Sequence, residues 1–292
     1  MSSSTWVKSA IEANYDAYSQ LTNETMFLPE INLSIKVNEF EQLLAGYNNA
    51  VRLAKEIGAT FKVDNKELFI SIDDLIFNIQ TAEDLFILTE IYVDKCYNFS
   101  LFETVNVIDI GMNVAYASLY FSHNPKVNKV YSFEPFEPTY QNALKHLSIN
   151  PSYSAKIIPH NYGVGVKDEV LQLEYSEEQR GRVGIKGTEL IKEKVLNHST
   201  QSITLKSLEN SLVPIFNLSN DNFIIKMDCE GSEYGIIEKM NELKLFKNVK
   251  GIMIEWHEKG PDELIDTLNK NGFVVYSLSN DEGSVGMIYA AK

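Results

Sequence analysis

Acidic residues follow several apolar, strand-like runs of this chain at the point where each run ends. Asp109 and Gly111 close the run that begins at Val105, and Glu134 closes the next one, about one strand-helix-strand unit later. Parallel strands of an open α/β sheet present their carboxyl ends at a common edge, where ligands bind. This spacing places Asp109, Gly111 and Glu134 at the rim of one predicted site, and it favours an enzyme over a scaffold.

The loop after the first run indicates the chemistry of the ligand. A dinucleotide site would need a G-x-G-x-x-G loop for its pyrophosphate, whereas this loop has only Gly111, and Asp109 adds a negative charge where phosphate would lie. A nucleoside with a cationic amino-acid end suits the loop better, and S-adenosylmethionine is such a ligand. Glu134 is then placed to accept hydrogen bonds from both ribose hydroxyls. A turn that merely caps a strand is the alternative.

Five motifs lie between residues 107 and 257: Val107–Asn113, Ser132–Phe136, Leu144–Asn150, Lys226–Glu233 and Ile254–His257. Together they resemble the FkbM-type family of class I S-adenosylmethionine-dependent methyltransferases, over about residues 105 to 278. The resemblance implies an α/β, Rossmann-like domain with helices on both faces of a seven-stranded, mostly parallel sheet of order 3-2-1-4-5-7-6. It also implies methyl transfer from S-adenosylmethionine, with S-adenosylhomocysteine as product, commonly to a hydroxyl of a sugar or natural product.

One motif departs from the family pattern. The family usually has Gly-Ala-Asn-x-Gly, whereas this chain has Gly111, Met112, Asn113 and Ala115 at the matching positions. We expect Gly111 and Asn113 to contact the cofactor. The added methyl group of Ala115 predicts a shifted cofactor end or a lower affinity, and an inactive relative is a third possibility.

In the implied fold, the strand that ends near Asp228 lies where the methyl donor meets the acceptor. Asp228, Glu230 and Glu233 fall within six residues and repel one another unless a cation, a metal or hydroxyl groups compensate them. We interpret Asp228 and Glu230 as catalytic residues that orient the acceptor hydroxyl, with Asp228 also a cofactor contact. Glu233 is a candidate substrate contact or an acid that interacts with the following helix dipole. Lys226 is a candidate substrate contact that pairs with one of these acids or snorkels from its strand.

Glu255 and His257 end the neighbouring run. Methylation of an oxygen requires alignment of the reacting atoms and removal of the hydroxyl proton. A base with a pKa near ~6.5 suits that proton, so we interpret His257 as the catalytic base and Glu255 as a substrate contact. A histidine held structurally beside Glu255 or Glu258 is the alternative. We assign no metal ligand, because the spacing of Asp228, Glu230 and His257 has no diagnostic signature, although the three could hold a divalent metal.

Two further segments carry weaker signals. Asn161 follows the third predicted strand of the core, where adenine-contacting groups sit in such folds, so it is a candidate cofactor contact. The segment Glu177–Lys194 contains Arg180 and either covers the acceptor or is a solvated loop.

Composition restricts the class of partner. The 292 residues include 40 acidic and 26 basic side chains, a net charge of −14, so long-range repulsion disfavours a nucleic-acid partner. The acceptor is expected to be a small molecule or a glycan. Cys96 and Cys229 are too far apart to indicate a disulfide framework or a zinc site. The N-terminus lacks a signal-peptide pattern, and no apolar run approaches the ~20 residues of a membrane span, so a cytoplasmic protein is expected.

The chain divides into two predicted parts. Residues 1–100 are expected to form a mainly helical extension, with helices over Ser4–Gln20 and Val37–Ile57, a β-hairpin around Asp64, and a capped helix that begins after Thr81. Residues 101–292 alternate strand and helix, as expected for the methyltransferase domain. Within them, residues 163–175 could form a hairpin. The last two strands are joined by a short turn, so they should be antiparallel.

Three functions compete at this point. The first is methylation of a hydroxyl on a sugar or glycan precursor. The second is a nucleotide-dependent oxidoreductase, which would share Glu134 but lacks the glycine fingerprint. The third is a catalytically inactive binding or assembly protein that keeps the fold.

Overall fold

A computed structural model describes residues 25–177, 180, 199–218, 221–257, 259–279 and 285–292. Contacts divide the chain into two compact units, Met1–Cys96 and Tyr97–Lys292. That the parts on either side of residue 100 are separate domains stays a prediction. The helix predicted over Ser4–Gln20 lies outside the described residues.

The first unit contains five strands and three α-helices in its described residues. They are β1 (Thr25–Leu28), β2 (Leu33–Lys36), α1 (Glu41–Ala45), α2 (Tyr47–Ile57), β3 (Thr60–Asp64), β4 (Glu67–Ile72), β5 (Leu75–Ile79) and α3 (Ala82–Tyr92). Short 3₁₀ turns at Pro29–Ile31 and Val37–Glu39 follow β1 and β2.

The predicted hairpin is present. Strands β3 and β4 pair antiparallel around Asn65 and Lys66, both of which have positive φ, as a two-residue type I′ loop requires. The hairpin continues into a third strand, β5, which the sequence pattern did not reveal. The described part of this unit therefore contains more strand than the mainly helical extension that we predicted.

The helix predicted over Val37–Ile57 is interrupted at Gly46. A Cβ atom there would lie 2.6 Å from Leu85 Cδ1, so the glycine allows α3 to pack closely against this point. The predicted cap of α3 is confirmed, because Thr81 and Asp84 form a reciprocal capping box.

The second unit contains ten strands and six α-helices in its described residues. They are β6 (Val105–Ile110), α4 (Tyr116–His123), β7 (Val127–Phe133), α5 (Glu137–Ile149), α6 (Pro151–Ser154), β8 (Ile157–His160), β9 (Gly163–Gly165), β10 (Glu169–Tyr175), β11 (Ser199–Ser207), α7 (Leu208–Leu218), β12 (Asn222–Met227), α8 (Glu233–Glu242), β13 (Val249–His257), α9 (Asp262–Lys270), β14 (Val274–Ser279) and β15 (Val285–Ala291).

Seven of these strands form the main sheet, in the order β8-β7-β6-β12-β13-β15-β14. Counted along the chain, this is the predicted order 3-2-1-4-5-7-6. Strands β6, β7, β8, β12 and β13 pair in parallel, and β15 runs antiparallel to both β13 and β14. The α/β, Rossmann-like fold and the antiparallel final pair are both confirmed.

The hairpin predicted over residues 163–175 is wrong. Strand β11 lies between β9 and β10, pairing in parallel with the first and antiparallel with the second. The strand that separates them comes more than twenty residues later in the chain, so local patterning could not reveal it. Helix α7 was also not predicted, although Leu208, Leu212 and Ile215 are buried at helical spacing, and Pro214 stands inside it.

The central strands of this unit lie inside its core. Strand β6 is buried along its whole length, and β12 is buried in all but its first residue. Central strands of a parallel sheet are covered on both faces, which explains why these segments read as continuous apolar runs. No helix among the described residues is both long and apolar enough to cross a bilayer.

Candidate active site

The loop after β6 approaches the end of β12 very closely at Gly111. This residue has φ +84°, and a Cβ atom on it would lie 1.8 Å from the carbonyl oxygen of Asp228. The backbone N–H groups of Gly111 and Met112 both donate to the carbonyl of Phe133, and Asp228 N–H donates to the carbonyl of Ile110. Glycine is required here for its conformation and for the space. Three strand ends are thereby held together.

Two other residues of this loop take left-handed backbone conformations without being glycine. Asn113 has φ 50° and Ala115 has φ 70°, and Ala115 is fully buried just before α4. The family glycine at position 115 would adopt this conformation without strain, whereas alanine does so at a cost. The departure from the family motif therefore places an alanine where the backbone conformation favours glycine.

Glu134 is buried at the end of β7, with an exposed fraction of 6%. Its Oε2 accepts a 2.9 Å hydrogen bond from Asn113 N–H, and its Oε1 accepts a 3.0 Å bond from Phe136 N–H. Burial raises the pKa of Glu134 to about 7, although both hydrogen bonds act to lower it. A carboxylate has lone pairs for about four hydrogen bonds, so each oxygen retains capacity for a ligand hydroxyl.

Asp109 and Lys226 form a buried ion pair between β6 and β12. Lys226 Nζ lies 3.2 Å from Asp109 Oδ1 and 3.8 Å from Asp228 Oδ2, and it donates to the Gly111 carbonyl. Ser118 Oγ donates to Asp109 Oδ2 at 2.5 Å. Burial lowers the pKa of Lys226, but the charges of Asp109 and Asp228 outweigh it and raise the pKa, so the amine stays protonated.

This ion pair changes the interpretation of two predicted residues. Asp109 is fully buried and Lys226 is 2% exposed. Neither offers surface to a cofactor or substrate, so contact with a ligand, as predicted from the sequence, does not fit this structure. Lys226 instead supports the Gly111 loop and Asp228, because it donates to the Gly111 carbonyl and lies 3.8 Å from Asp228 Oδ2. Asp109 supports them indirectly, by pairing with Lys226.

His257 lies among carboxylates at the end of β13. Its Nδ1 is 3.3 Å from Glu233 Oε1, and its Nε2 is 3.6 Å from Glu230 Oε2 and 4.0 Å from Glu255 Oε1. Burial lowers the pKa of His257, but the hydrogen bond to Glu233 and the charges of Glu230, Glu233 and Asp228 outweigh it and raise the pKa to about 9. The sequence-based argument took the pKa of His257 to be near its ordinary value of ~6.5. The raised pKa in the structure means that this argument no longer holds.

Glu233 supports this cluster from the first turn of α8. It is fully buried, and it accepts hydrogen bonds from Cys229 N–H at 3.0 Å and Gly231 N–H at 2.9 Å. A substrate cannot reach it in this structure, which revises its predicted role from substrate contact to support. Glu255 keeps 32% of its side chain exposed, so contact with a substrate stays a prediction.

A pocket opens at the carboxyl ends of β6, β7 and β12. It is lined by five of the predicted residues: Gly111, Asn113, Glu134, Asp228 and Glu230. Arg180 also lines it, so the start of the segment 177–194 reaches the pocket, while residues 181–194 lie outside the described part of the chain. Asn161 is exposed and donates to Glu137, and it does not line the pocket.

Three contributors to the site were not predicted. The Tyr97 hydroxyl donates a 3.2 Å hydrogen bond to Asp228 Oδ2. The two residues are 131 positions apart in the sequence, and no sequence motif contains both of them. Phe136 contributes a backbone N–H to Glu134 and lines the pocket. Ser118 holds Asp109, and its place one turn into the helix after β6 is a signal that sequence reasoning could have used.

The fold and pocket define an α/β protein of the class I methyltransferase type, with its ligand crevice at the ends of parallel strands. The family model of the methyltransferase FkbM domain matches residues 109–275. The chain therefore belongs to the FkbM methyltransferase family.

The individual relatives have low sequence identity to this chain. "Methyltransferase 1" of Beauveria bassiana (strain ARSEF 2860) is 24% identical over 170 residues, which cover 54% of this chain and 67% of that protein. The crystal structure of methyltransferase FkbM from Methylobacillus flagellatus KT has 13% identity and a TM-score of 0.44, covering 97% of this chain and 60% of that one. M. capricolum TrmK, solved with S-adenosylhomocysteine, has 14% identity and a TM-score of 0.37, covering 68% and 67%. This chain thus spans less than two thirds of the M. flagellatus structure.

Proposed function

We propose that this protein transfers the methyl group of S-adenosylmethionine to an oxygen of a small-molecule or glycan acceptor. The observation that carries the proposal is the position of Glu134, a carboxylate in the pocket wall beside the close approach of Gly111 and Asp228. Family membership supports the same reaction class.

The residues of the pocket fit this cofactor better than a dinucleotide. Glu134, Asp228 and Glu230 all line it, and this concentration of carboxylates favours a cationic ligand over a pyrophosphate. Glu134 would accept hydrogen bonds from the ribose hydroxyls, while Gly111 and Asn113 would contact the cofactor through the loop after β6. Arg180 is a candidate partner for its carboxylate. When bound, the cofactor supplies a methyl group on a sulfonium, which needs no metal or redox group to be transferred.

The acceptor is proposed to bind beside Asp228 and Glu230. These carboxylates are 28% and 14% exposed in their side chains, so they can accept hydrogen bonds from an acceptor hydroxyl and hold its oxygen in line. His257 lies next to Glu230 and is our candidate for removing the hydroxyl proton. The raised pKa means that it must first lose its own proton. The net charge of −14 supports a small hydroxyl-bearing acceptor, such as a sugar or glycan precursor, over a nucleic acid.

The experiment that tests this function compares carbohydrates from cells with and without the protein by mass spectrometry. We expect a species that gains the mass of one CH₂ group only when the wild-type protein is present. A Glu134→Ala variant should lose this product, whereas Glu238→Ala, which changes an exposed carboxylate on α8, should retain it. If the modified species forms equally with the Glu134→Ala variant, the pocket is not the site of transfer. If the carbohydrates are unmodified although S-adenosylhomocysteine binds, a sugar is not the acceptor.

A further inference from the structure

Asp228, Glu230 and His257 bring two carboxylates and one imidazole together; the two carboxylates line the pocket, and the imidazole lies beside Glu230. One ligand atom from each lies within 4.8 Å of the others, and His257 Nε2 is 3.6 Å from Glu230 Oε2. Adjacent ligands of a single divalent ion, each about 2.2 Å from it, are about 3.1–3.6 Å apart in octahedral or tetrahedral geometry. The three side chains would therefore have to move together by about 1 Å to hold one ion.

The imidazole is oriented by a carboxylate behind it. Glu233 Oε1 lies 3.3 Å from His257 Nδ1, and Glu233 is fixed by the backbone N–H groups of Cys229 and Gly231. An ionised carboxylate only accepts hydrogen bonds, so Nδ1 must donate, and Nε2 is the nitrogen that faces Glu230. Most metal-binding histidines donate the N–H of their other ring nitrogen to a carboxylate in this way. That carboxylate fixes the orientation of the ring and increases its basicity.

Asp228 is also oriented from behind. Tyr97 donates to its Oδ2 at 3.2 Å, and Lys226 Nζ lies 3.8 Å from the same oxygen. The cluster is nevertheless reachable, because the side chains of Asp228, Glu230 and His257 are 28%, 14% and 10% exposed. Asp228 and Glu230 line the pocket, so an ion and its water could enter from there.

We propose that Asp228, Glu230 and His257 bind a divalent cation, each through one atom. Two oxygens and one imidazole nitrogen suit ions that accept mixed ligands, such as Mn²⁺ or Zn²⁺, better than Ca²⁺, which takes six to eight oxygens. Water or an acceptor hydroxyl would fill the remaining coordination positions. Beside an acceptor hydroxyl, such a cation lowers the pKa of that hydroxyl. With the ion bound, the Nε2 lone pair of His257 is used by the ion, so the cation takes the place of His257 in promoting loss of the hydroxyl proton. This use of the ion rests on the proposed function, whereas binding of the ion does not.

The test is titration of the metal-free protein with Mn²⁺, followed by calorimetry and by the electron paramagnetic resonance signal of free Mn²⁺. We expect one saturable site per chain. Loss of a residue that only hydrogen-bonds to a metal ligand already costs about 10–100-fold in metal affinity, so Asp228→Asn, Glu230→Gln and His257→Gln should each weaken binding by at least about tenfold. Glu238→Gln should bind as the wild type does, because Glu238 is exposed and lies on the far part of α8.

Two results would overturn the proposal. Absence of saturable Mn²⁺ binding at millimolar concentration would show that His257 and Lys226 alone balance the carboxylates. Equal Mn²⁺ affinity in the wild type and in the folded ligand variants would place the ion elsewhere. Thermal unfolding identifies which of the three variants are folded, and one folded variant is enough for this comparison. Titration of S-adenosylhomocysteine without Mn²⁺ on the same samples reports on the proposed function separately, since either ligand can bind while the other fails.

Discussion

Glu134 Oε2 accepts a 2.9 Å hydrogen bond from the backbone N–H of Asn113, and this bond joins the end of β7 to the loop after β6. The same carboxylate holds Phe136 N–H on its other oxygen. Glu134 therefore shapes the pocket as well as lining it. Burial raises its pKa to about 7, so its charge changes within the range where the protein can be studied.

This raised pKa predicts a pH dependence of stability. In the unfolded chain Glu134 loses its proton at its ordinary pKa of ~4.3, while in the folded protein it keeps the proton up to about 7. The folded state binds more protons in this window, so the free energy of unfolding falls as pH rises from about 4.3 to about 7. Above about pH 7 the contribution of Glu134 no longer changes with pH. We expect the free energy of unfolding of Glu134→Gln, relative to that of the wild type, to increase by about 4 kcal/mol across the window, measured by urea unfolding.

Glu238→Gln is the control for this measurement, and its difference from wild type should not follow the same curve. A constant difference between Glu134→Gln and wild type from pH 4 to 8 would contradict the raised pKa. Hydrogen bonds to an ionised carboxylate are the stronger ones, so the affinity of the wild type for S-adenosylhomocysteine should increase between pH 6 and 8.

The close approach at Gly111 predicts an unusually costly Gly→Ala substitution. Gly272 provides a matched control, because it has the same φ of +84° but nothing within 4 Å of an added Cβ. Gly272→Ala should lower the free energy of unfolding by only about 1 kcal/mol, because alanine is strained in the left-handed conformation. Gly111→Ala should cost clearly more and abolish S-adenosylhomocysteine binding, since its Cβ would lie 1.8 Å from Asp228 O. Equal unfolding free energies for the two variants would refute the contact.

The buried ion pair predicts a large effect of removing Lys226. Lys226→Met leaves Asp109 without the amine that lies 3.2 Å away, and such a loss costs about 3–5 kcal/mol. Adding Asp109→Asn should recover part of this stability, because the buried charge is then removed as well. Lys239→Met is the control, since its salt bridges are exposed, and it should change the denaturation midpoint little. A double variant less stable than Lys226→Met would count against the pair.

The left-handed backbone at Ala115 predicts an atypical Ala→Gly substitution. Glycine relieves the strain of φ 70° at this position, whereas at Ala117, inside α4, it only loses helix propensity and a buried methyl group. We expect Ala117→Gly to destabilise the protein by about 1 kcal/mol more than Ala115→Gly. The reverse ranking in thermal unfolding would show that packing of the Ala115 methyl dominates.

Much of the site could be predicted because buried central strands have a simple sequence pattern. The apolar runs of β6 and β12 follow from burial on both faces, and the acidic residues that end them indicated the edge of the sheet where the pocket lies. The family resemblance supplied the sheet order. Local patterns did not reveal how β11 separates β9 from β10, since that pairing joins residues distant in the chain.

Roles within the site were harder to predict than positions. Asp109, Lys226 and Glu233 stand in the predicted region, but full or nearly full burial makes them supports and not ligand contacts. The sequence shows that charges are close together; it does not show which of them face each other and which face the pocket. Tyr97 shows the same limit, because its bond to Asp228 spans the unit.

The central claim is that the pocket beside Glu134 binds a nucleoside with a cationic tail. Calorimetric titration at pH 8 with S-adenosylhomocysteine, and separately with NAD, tests it most directly. We predict saturable binding of S-adenosylhomocysteine that is lost in Glu134→Ala and kept in Glu238→Ala, with no binding of NAD. Binding of NAD alone, or S-adenosylhomocysteine binding that is unchanged in Glu134→Ala, would contradict the account.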